Sequence, residues 1–228
     1  MLYQFLFSSG MSGEEAVARF LISIFVFFVS LTIHELAHGF AAYKMGDLTA
    51  KIDGRLSLNP IKHLDMSGFL AFMIIGVGWA KPVPVNPLNF KKYKTGMRWV
   101  SISGILANFL LGLFATIIYT ILLATVGFTT VAMQYVRLLL VYFMMVNSMF
   151  AMFNLLPFIP LDGYNFIATF LKPDNKFIKW NEKNGSKILF TIILVCLFIE
   201  ILFGIDLFGY YLDFILDNIY GPITWLGG

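Results

Sequence analysis

The sequence predicts an all-α polytopic membrane protein with about four to six membrane helices, a small β-hairpin and a short re-entrant or half-spanning segment. Three observations carry this expectation. Charged residues make up 13% of the 228-residue chain, about half the ~25% of a soluble domain. Hydrophobic residues reach 59%, and mean hydropathy is +0.81. The apolar residues are also gathered into runs, several long enough for the ~20 residues that a bilayer crossing takes. Little is left for a separate soluble domain, so residues 1–228 read as one membrane-embedded unit, with a core over about 16–165 and a C-terminal helix and tail over 185–228.

Each element follows from its own residues. Glu14 and Glu15 precede the first apolar run, where acids suit the positive end of a helix dipole. From Ala16 to Tyr43 the only charges are Arg19 and Glu35, and the helix is expected to end about Lys44 and Gly46. No basic residue precedes the first apolar stretch, so that helix reads as retained rather than cleaved. Residues 49–58 alternate around Asp53-Gly54, a strong two-residue turn signal, which predicts the β-hairpin. Asn59-Pro60 breaks the alternation.

Phe69 to Ala80 is apolar but, at ~1.5 Å per residue, covers only ~18 Å of a ~30 Å hydrocarbon core. It reads as a short helix or re-entrant piece. Residues 81–98 form a polar loop with three prolines, five basic residues and no acid. Spans are expected from Trp99 to about Val126 and from Val131 to Pro157. After a polar, basic stretch over 158–187, an apolar segment ends near Phe203. Asp206, Asp213 and Asp217 share one helical face, which predicts an interfacial helix. Cys196, the lone cysteine, excludes an intrachain disulfide and a cysteine-based metal site.

Charge then orients the chain. If the segment over 69–80 returns to the side it left, 14 of the 16 basic residues share one side, leaving Arg19 and Arg137. Positive charge marks the cytoplasmic side. Both ends of the chain would then lie outside, and a full crossing at 69–80 would split the basic loops. The Lys91, Lys92, Lys94 run reads as meeting anionic headgroups rather than nucleic acid.

His34-Glu35-Leu36-Ala37-His38 is an H-E-x-x-H pattern inside the first span. Residues four apart share a helical face, so His34 and His38 can hold one metal with Glu35 beside it. Ionisable groups at that depth are costly and functional by default. A catalytic zinc keeps three protein ligands and a water, so a third is needed. The topology delivers Asn154 to Gly163 to the same depth, and Asp162 is the only acid between Asp65 and Asp174. It is the expected third ligand.

At these residues the chain resembles the site-2 protease family of intramembrane zinc metalloproteases. That family pairs a transmembrane H-E-x-x-H helix with a distant N-x-x-P-x-x-P-x-D-G segment, matched here by Asn154, Pro157, Pro160, Asp162 and Gly163. Gly104 and Asn108 resemble the G-x-x-x-N of its third core helix. The matches run in order from about residue 20 to 165 and imply a compact, core-only member without a PDZ-like insert. Tyr164 departs from the pattern, where members often have a second glycine or a small residue. It leaves ligation intact and bears on packing or substrate access.

The expected roles are one zinc per chain on His34, His38 and Asp162, with Glu35 as general base. Asn154 is expected to hydrogen-bond substrate backbone or a developing oxyanion. Asn108, on a small-residue stripe with Gly104 and Gly112, is expected to pack and to support the ligands from behind. The expected partners are a membrane-embedded peptide or protein and the lipid bilayer. The expected location is the cell membrane, as a multi-pass protein with its active site towards the cytoplasm; the oligomeric state stays open. His63 reads as a loop organiser, the methionines over 144–152 as ordinary core, and Arg137 with Glu200 as an ion pair. Two other readings compete. A catalytically silent helix-binding pseudoprotease or chaperone would normally lack Glu35 or a ligand. A metal transporter would need ionisable groups through the whole depth.

Overall fold

The computed structural model describes residues 12–75 and 78–204, together with Tyr210 and Phe214. The expected interfacial helix with Asp206, Asp213 and Asp217 lies outside the described residues. The described elements are helical: α1 (Gly13–Met45), α2 (Thr49–Ile52), α3 (Met66–Ile75), α4 (Tyr93–Thr125), α5 (Val131–Asn154), α6 (Asp162–Ala168) and α7 (Lys176–Phe203). Short 3-10 turns lie at Pro60–His63 and Pro87–Asn89.

α1, α4 and α5 are the three helices long and apolar enough to cross a membrane among the described residues. At ~1.5 Å per residue, the 33 residues of α1 and of α4 reach ~50 Å, more than a bilayer core. Four to six membrane helices are expected from sequence; three meet the length and composition of a span among the described residues. In α7 the apolar stretch begins only after Lys187 and carries Glu200 near its end.

The ends of the helices obey local chemistry. Ser12 caps α1 by accepting from the Glu15 amide, and Gly46, at φ 111°, takes the left-handed conformation that stops it. Asn175 caps α7 through the Phe177 amide, and Gly204 closes it at φ 66°.

The expected β-hairpin over 49–58 is absent; no strand forms among the described residues. Thr49–Ile52 instead makes a helical turn. Its cause is Asp47, whose Oδ1 accepts from the Thr49 amide at 3.1 Å and the Thr49 hydroxyl at 2.5 Å, bending the backbone into a turn. Asp53-Gly54 does turn the chain, with Gly54 at φ 63°, but it ends a helical turn rather than joining two strands.

Asp47 also gathers the loops. Its Oδ2 accepts from the Asn86 amide at 2.7 Å and its Oδ1 from Asn89 Nδ2 at 2.7 Å, tying the end of α1 to the stretch before α4. Burial pushes this carboxyl up, but the hydrogen bonds from Thr49, Asn89 and Asn86 outweigh burial and hold it below the usual carboxylate range.

The segment carrying α3 leaves and returns. Leu64 and Ala80 form an antiparallel bridge, and the Lys81 amide donates to the His63 carbonyl at 2.9 Å. Its two ends therefore lie side by side, the geometry of a re-entrant piece. His63 is fully buried, with Nε2 against the Ser57 carbonyl at 2.8 Å, and is not part of the group formed by His34, His38 and Asp162.

Packing joins the spans in pairs. Phe27, Leu31 and Phe72 form one core between α1 and α3, with Phe27 and Phe72 stacked at 4.0 Å. Ala115, Leu140 and Met144 form another between α4 and α5, with Met152 against it, so these methionines are core. Arg19 pairs with Glu15 one turn away at 2.8 Å.

Candidate metal centre

Three side chains from two distant parts of the chain meet between the spans. His34 Nε2 and His38 Nε2 lie 3.0 Å apart on α1. Asp162 Oδ2, at the first residue of α6, lies 3.4 Å from His34 Nε2 and 3.1 Å from His38 Nε2. These are the three residues the sequence nominated as ligands, brought into one cluster able to hold a metal ion.

The tautomers are set from behind. His38 Nδ1 faces the Val100 carbonyl at 2.8 Å. A carbonyl only accepts, so Nδ1 carries the proton and Nε2 a lone pair. His34 Nδ1 lies 2.5 Å from Asn108 Oδ1. Asn108 Nδ2 is turned towards two oxygens, the Ser30 carbonyl and Asn147 Oδ1, which leaves its own oxygen for His34. Both Nε2 lone pairs therefore point at a carboxylate oxygen that is buried and has no hydrogen-bond partner. Three lone pairs facing one another in a buried site repel unless a cation lies between them.

The spacing fits zinc. Tetrahedral bonds of ~2.0–2.1 Å to nitrogen and oxygen put ligand atoms about 3.3 Å apart. The three separations here bracket that value.

The local sequence explains why the pieces can approach. A Cβ on Gly104 of α4 would sit 2.5 Å from His38 Nε2 and 2.6 Å from His34 Cε1, so only glycine lets α4 pass this close. A Cβ on Gly163 would meet the Leu155 carbonyl oxygen at 2.3 Å, which is why the residue after Asp162 has none. Tyr164, the departure from the family pattern, is buried with its ring 6.2 Å from that of Phe177, so it packs α6 against α7. Arg98 holds the far end of α6, donating to Thr169 Oγ1 at 3.1 Å and lying over the Phe170 ring at 4.1 Å.

Glu35 is buried beside the cluster, and its Oε2 accepts from the Val83 amide at 2.8 Å. The extended stretch after Ala80 thus fixes this carboxylate. Asn108 is fully buried and hydrogen-bonded to a candidate ligand, a closer part than packing alone. Asn154, the last residue of α5, turns its Nδ2 back onto the Phe150 carbonyl at 3.0 Å and forms no hydrogen bond to the cluster among the described residues.

Sequence reasoning missed four contributors. Val83 and Val100 act through backbone groups, which leave no signature in residue type. Asn147, fully buried inside an apolar span, carried the signal of an intramembrane polar residue. Asn181 of α7 accepts from the Ile159 amide at 3.1 Å and donates to the Pro157 carbonyl at 2.8 Å, clasping the loop that delivers Asp162.

Known proteins resemble this chain. A Bacillus subtilis (strain 168) protein named Putative zinc metalloprotease YwhC is 38% identical over 172 residues, 73% of this chain and 77% of the relative. Putative zinc metalloprotease Rip2 of Mycolicibacterium smegmatis (strain ATCC 700084 / mc(2)155) is 27% identical over 187 residues, 78% of this chain and 68% of the relative. No protein-family model matches, and no solved structure matches significantly. With 38% identity across most of both chains, and an H-E-x-x-H helix meeting the aspartate of N-x-x-P-x-x-P-x-D-G between apolar helices, the chain belongs to the site-2 protease family.

Proposed function

We propose that the protein is an intramembrane zinc endopeptidase that cuts transmembrane or membrane-embedded peptide segments. One observation carries this reading: His34, His38 and Asp162 converge, with Glu35 beside them, in a bundle whose long helices are apolar enough to span a membrane. A zinc ion held by His34, His38 and Asp162, one per chain, would polarise the scissile carbonyl and bring the pKa of a bound water towards ~7.

The chain's own groups do the rest. The Val83 amide holds Glu35 Oε2, which leaves Oε1 to take a proton from the attacking water and pass it to the leaving amide nitrogen. Val100 and Asn108 hold the two rings with Nε2 inward. Asn154 keeps one amide hydrogen on Phe150 and offers the other to a substrate carbonyl. The basic loops support a cytoplasmic position for the ligand end of α1, with water entering past the re-entrant segment.

The test compares wild type with Glu35→Gln. Zinc content near one per chain in both, cleavage of membrane peptides by wild type alone, and accumulation of those peptides in cells carrying the variant are the expected results. Cleavage surviving in Glu35→Gln overturns the mechanism. Zinc binding without turnover of any membrane peptide overturns the enzyme in favour of a silent helix-binding protein.

A further inference from the structure

Inside the bundle, three fully buried polar residues line up behind His34. Ser30 of α1, Asn108 of α4 and Asn147 of α5 are each 0% exposed. Intramembrane amides commonly glue helices together, and that alone would account for a contact between α4 and α5. The directions of these hydrogen bonds say more.

Asn147 Nδ2 donates to the Phe143 carbonyl at 2.8 Å and to Ser30 Oγ at 2.9 Å. A backbone carbonyl accepts and cannot donate, so Asn147 cannot turn over without setting oxygen against oxygen. Its Oδ1 is thereby committed to Asn108, whose Nδ2 donates to it at 2.8 Å. With Nδ2 so engaged, and also 3.2 Å from the Ser30 carbonyl, Asn108 presents only Oδ1 to His34. His34 must then hold its proton on Nδ1 and keep Nε2 as a lone pair facing His38 and Asp162. The direction set at Phe143 passes through two amides to the metal-facing nitrogen, and the longer contact from Asn108 Nδ2 to the Ser30 carbonyl acts in the same sense.

We propose that Asn147 is a positioning residue that sets the tautomer of His34, acting through Asn108. It touches neither ligand group nor substrate. The inference rests on the zinc-site reading above and names a residue that no motif in that reading contains. His38 needs no such relay, because the Val100 carbonyl fixes its tautomer directly. The two ligand histidines are therefore oriented by different devices, and only one depends on α5.

The experiment uses the full chain purified in detergent. The chain has three histidines, so a sample labelled with 15N in the imidazole rings gives a readable spectrum. Metal-free wild type should show His34 as the Nδ1–H tautomer, and Asn147→Ala should show a mixture, with the signal of His38 unmoved. Zinc affinity should fall about 10- to 100-fold in Asn147→Ala, the usual scale for partners behind a ligand. Ser30→Ala removes a hydrogen bond of the same cluster but keeps the path from Phe143 to His34, so its affinity should stay near wild type.

The double variant Asn108→Ala/Asn147→Ala separates relay from glue. If Asn147 acts through Asn108, the double variant binds zinc no more weakly than Asn108→Ala alone. Losses that multiply, or a His34 tautomer unchanged in Asn147→Ala, overturn the proposal. If wild type binds no zinc, the zinc-site reading fails, while the metal-free spectra still decide the role of Asn147.

Discussion

Gly104 and His38 approach so closely that the smallest possible side chain on the glycine would lie 2.5 Å from Nε2. The neighbour is a ring already hydrogen-bonded to Val100, so it cannot swing away without leaving its place. Gly104→Ala should therefore lower zinc affinity at least tenfold and abolish cleavage, while far-UV circular dichroism stays helical. Gly13→Ala, where a Cβ meets nothing within 4 Å, is the matched control and should behave as wild type. Zinc binding unchanged in Gly104→Ala would mean that the two helices can part.

Removing the metal should cost stability as well as activity. A ligand that binds only the folded state stabilises it by about 4 kcal/mol at a thousand times its dissociation constant. Chelation should lower the thermal midpoint of wild type, and added zinc should restore it. Asp162→Ala should start at the lower midpoint and respond little to either treatment, because two imidazoles remain without their carboxylate. A response equal to wild type would remove Asp162 from the ligand set.

Asp47 predicts a pH dependence. Its carboxyl is held below its ordinary value when folded, so the ionised form stabilises the fold above the unfolded pKa of ~3.9. That contribution is complete at neutral pH and is lost as pH falls through the depressed folded value. Asp47→Asn leaves a buried donor facing other donors, costing about 1–3 kcal/mol at pH 7. The gap between wild type and variant in thermal midpoint should be widest near neutrality and close on acidification. A gap independent of pH would assign the effect to packing.

Asn181→Ala strips the Ile159 amide and the Pro157 carbonyl of their partner. Two part-buried backbone groups that lose their partner cost at most about 1–3 kcal/mol each, less where water reaches them. The expected outcome is a lower thermal midpoint and weaker zinc binding, since the loosened loop carries Asp162. Binding at wild-type strength would show that α6 holds its place through Arg98 and Tyr164 alone.

The clustering of His34, His38 and Asp162 was legible in the sequence because each member announces itself chemically. Histidines at helical spacing, an acid alone in a long stretch and prolines around it stand out against an apolar chain. The supports were less legible. Val83 and Val100 work through backbone atoms, and valine looks like core in any span. Asn181 meets its loop only after α7 folds back, and no local pattern foretells that. The hairpin failed for a local reason: period-two alternation around Asp53-Gly54 competes with a side chain two residues before Thr49, and Asp47 wins by accepting from the Thr49 amide and hydroxyl as the chain turns.

The separation of the ligands along the chain has a consequence for how the protein is made. His34 and His38 leave the ribosome with α1, whereas Asp162 follows only after α4 and α5, with more than half the chain between them. During synthesis the first helix holds two exposed imidazoles and no complete set of donors. The cluster closes only when the re-entrant segment, both later spans and the loop clasped by Asn181 have found their places. The proposed metal site, built this way, stays incomplete through insertion into the membrane, and capture of a metal would report that assembly is finished.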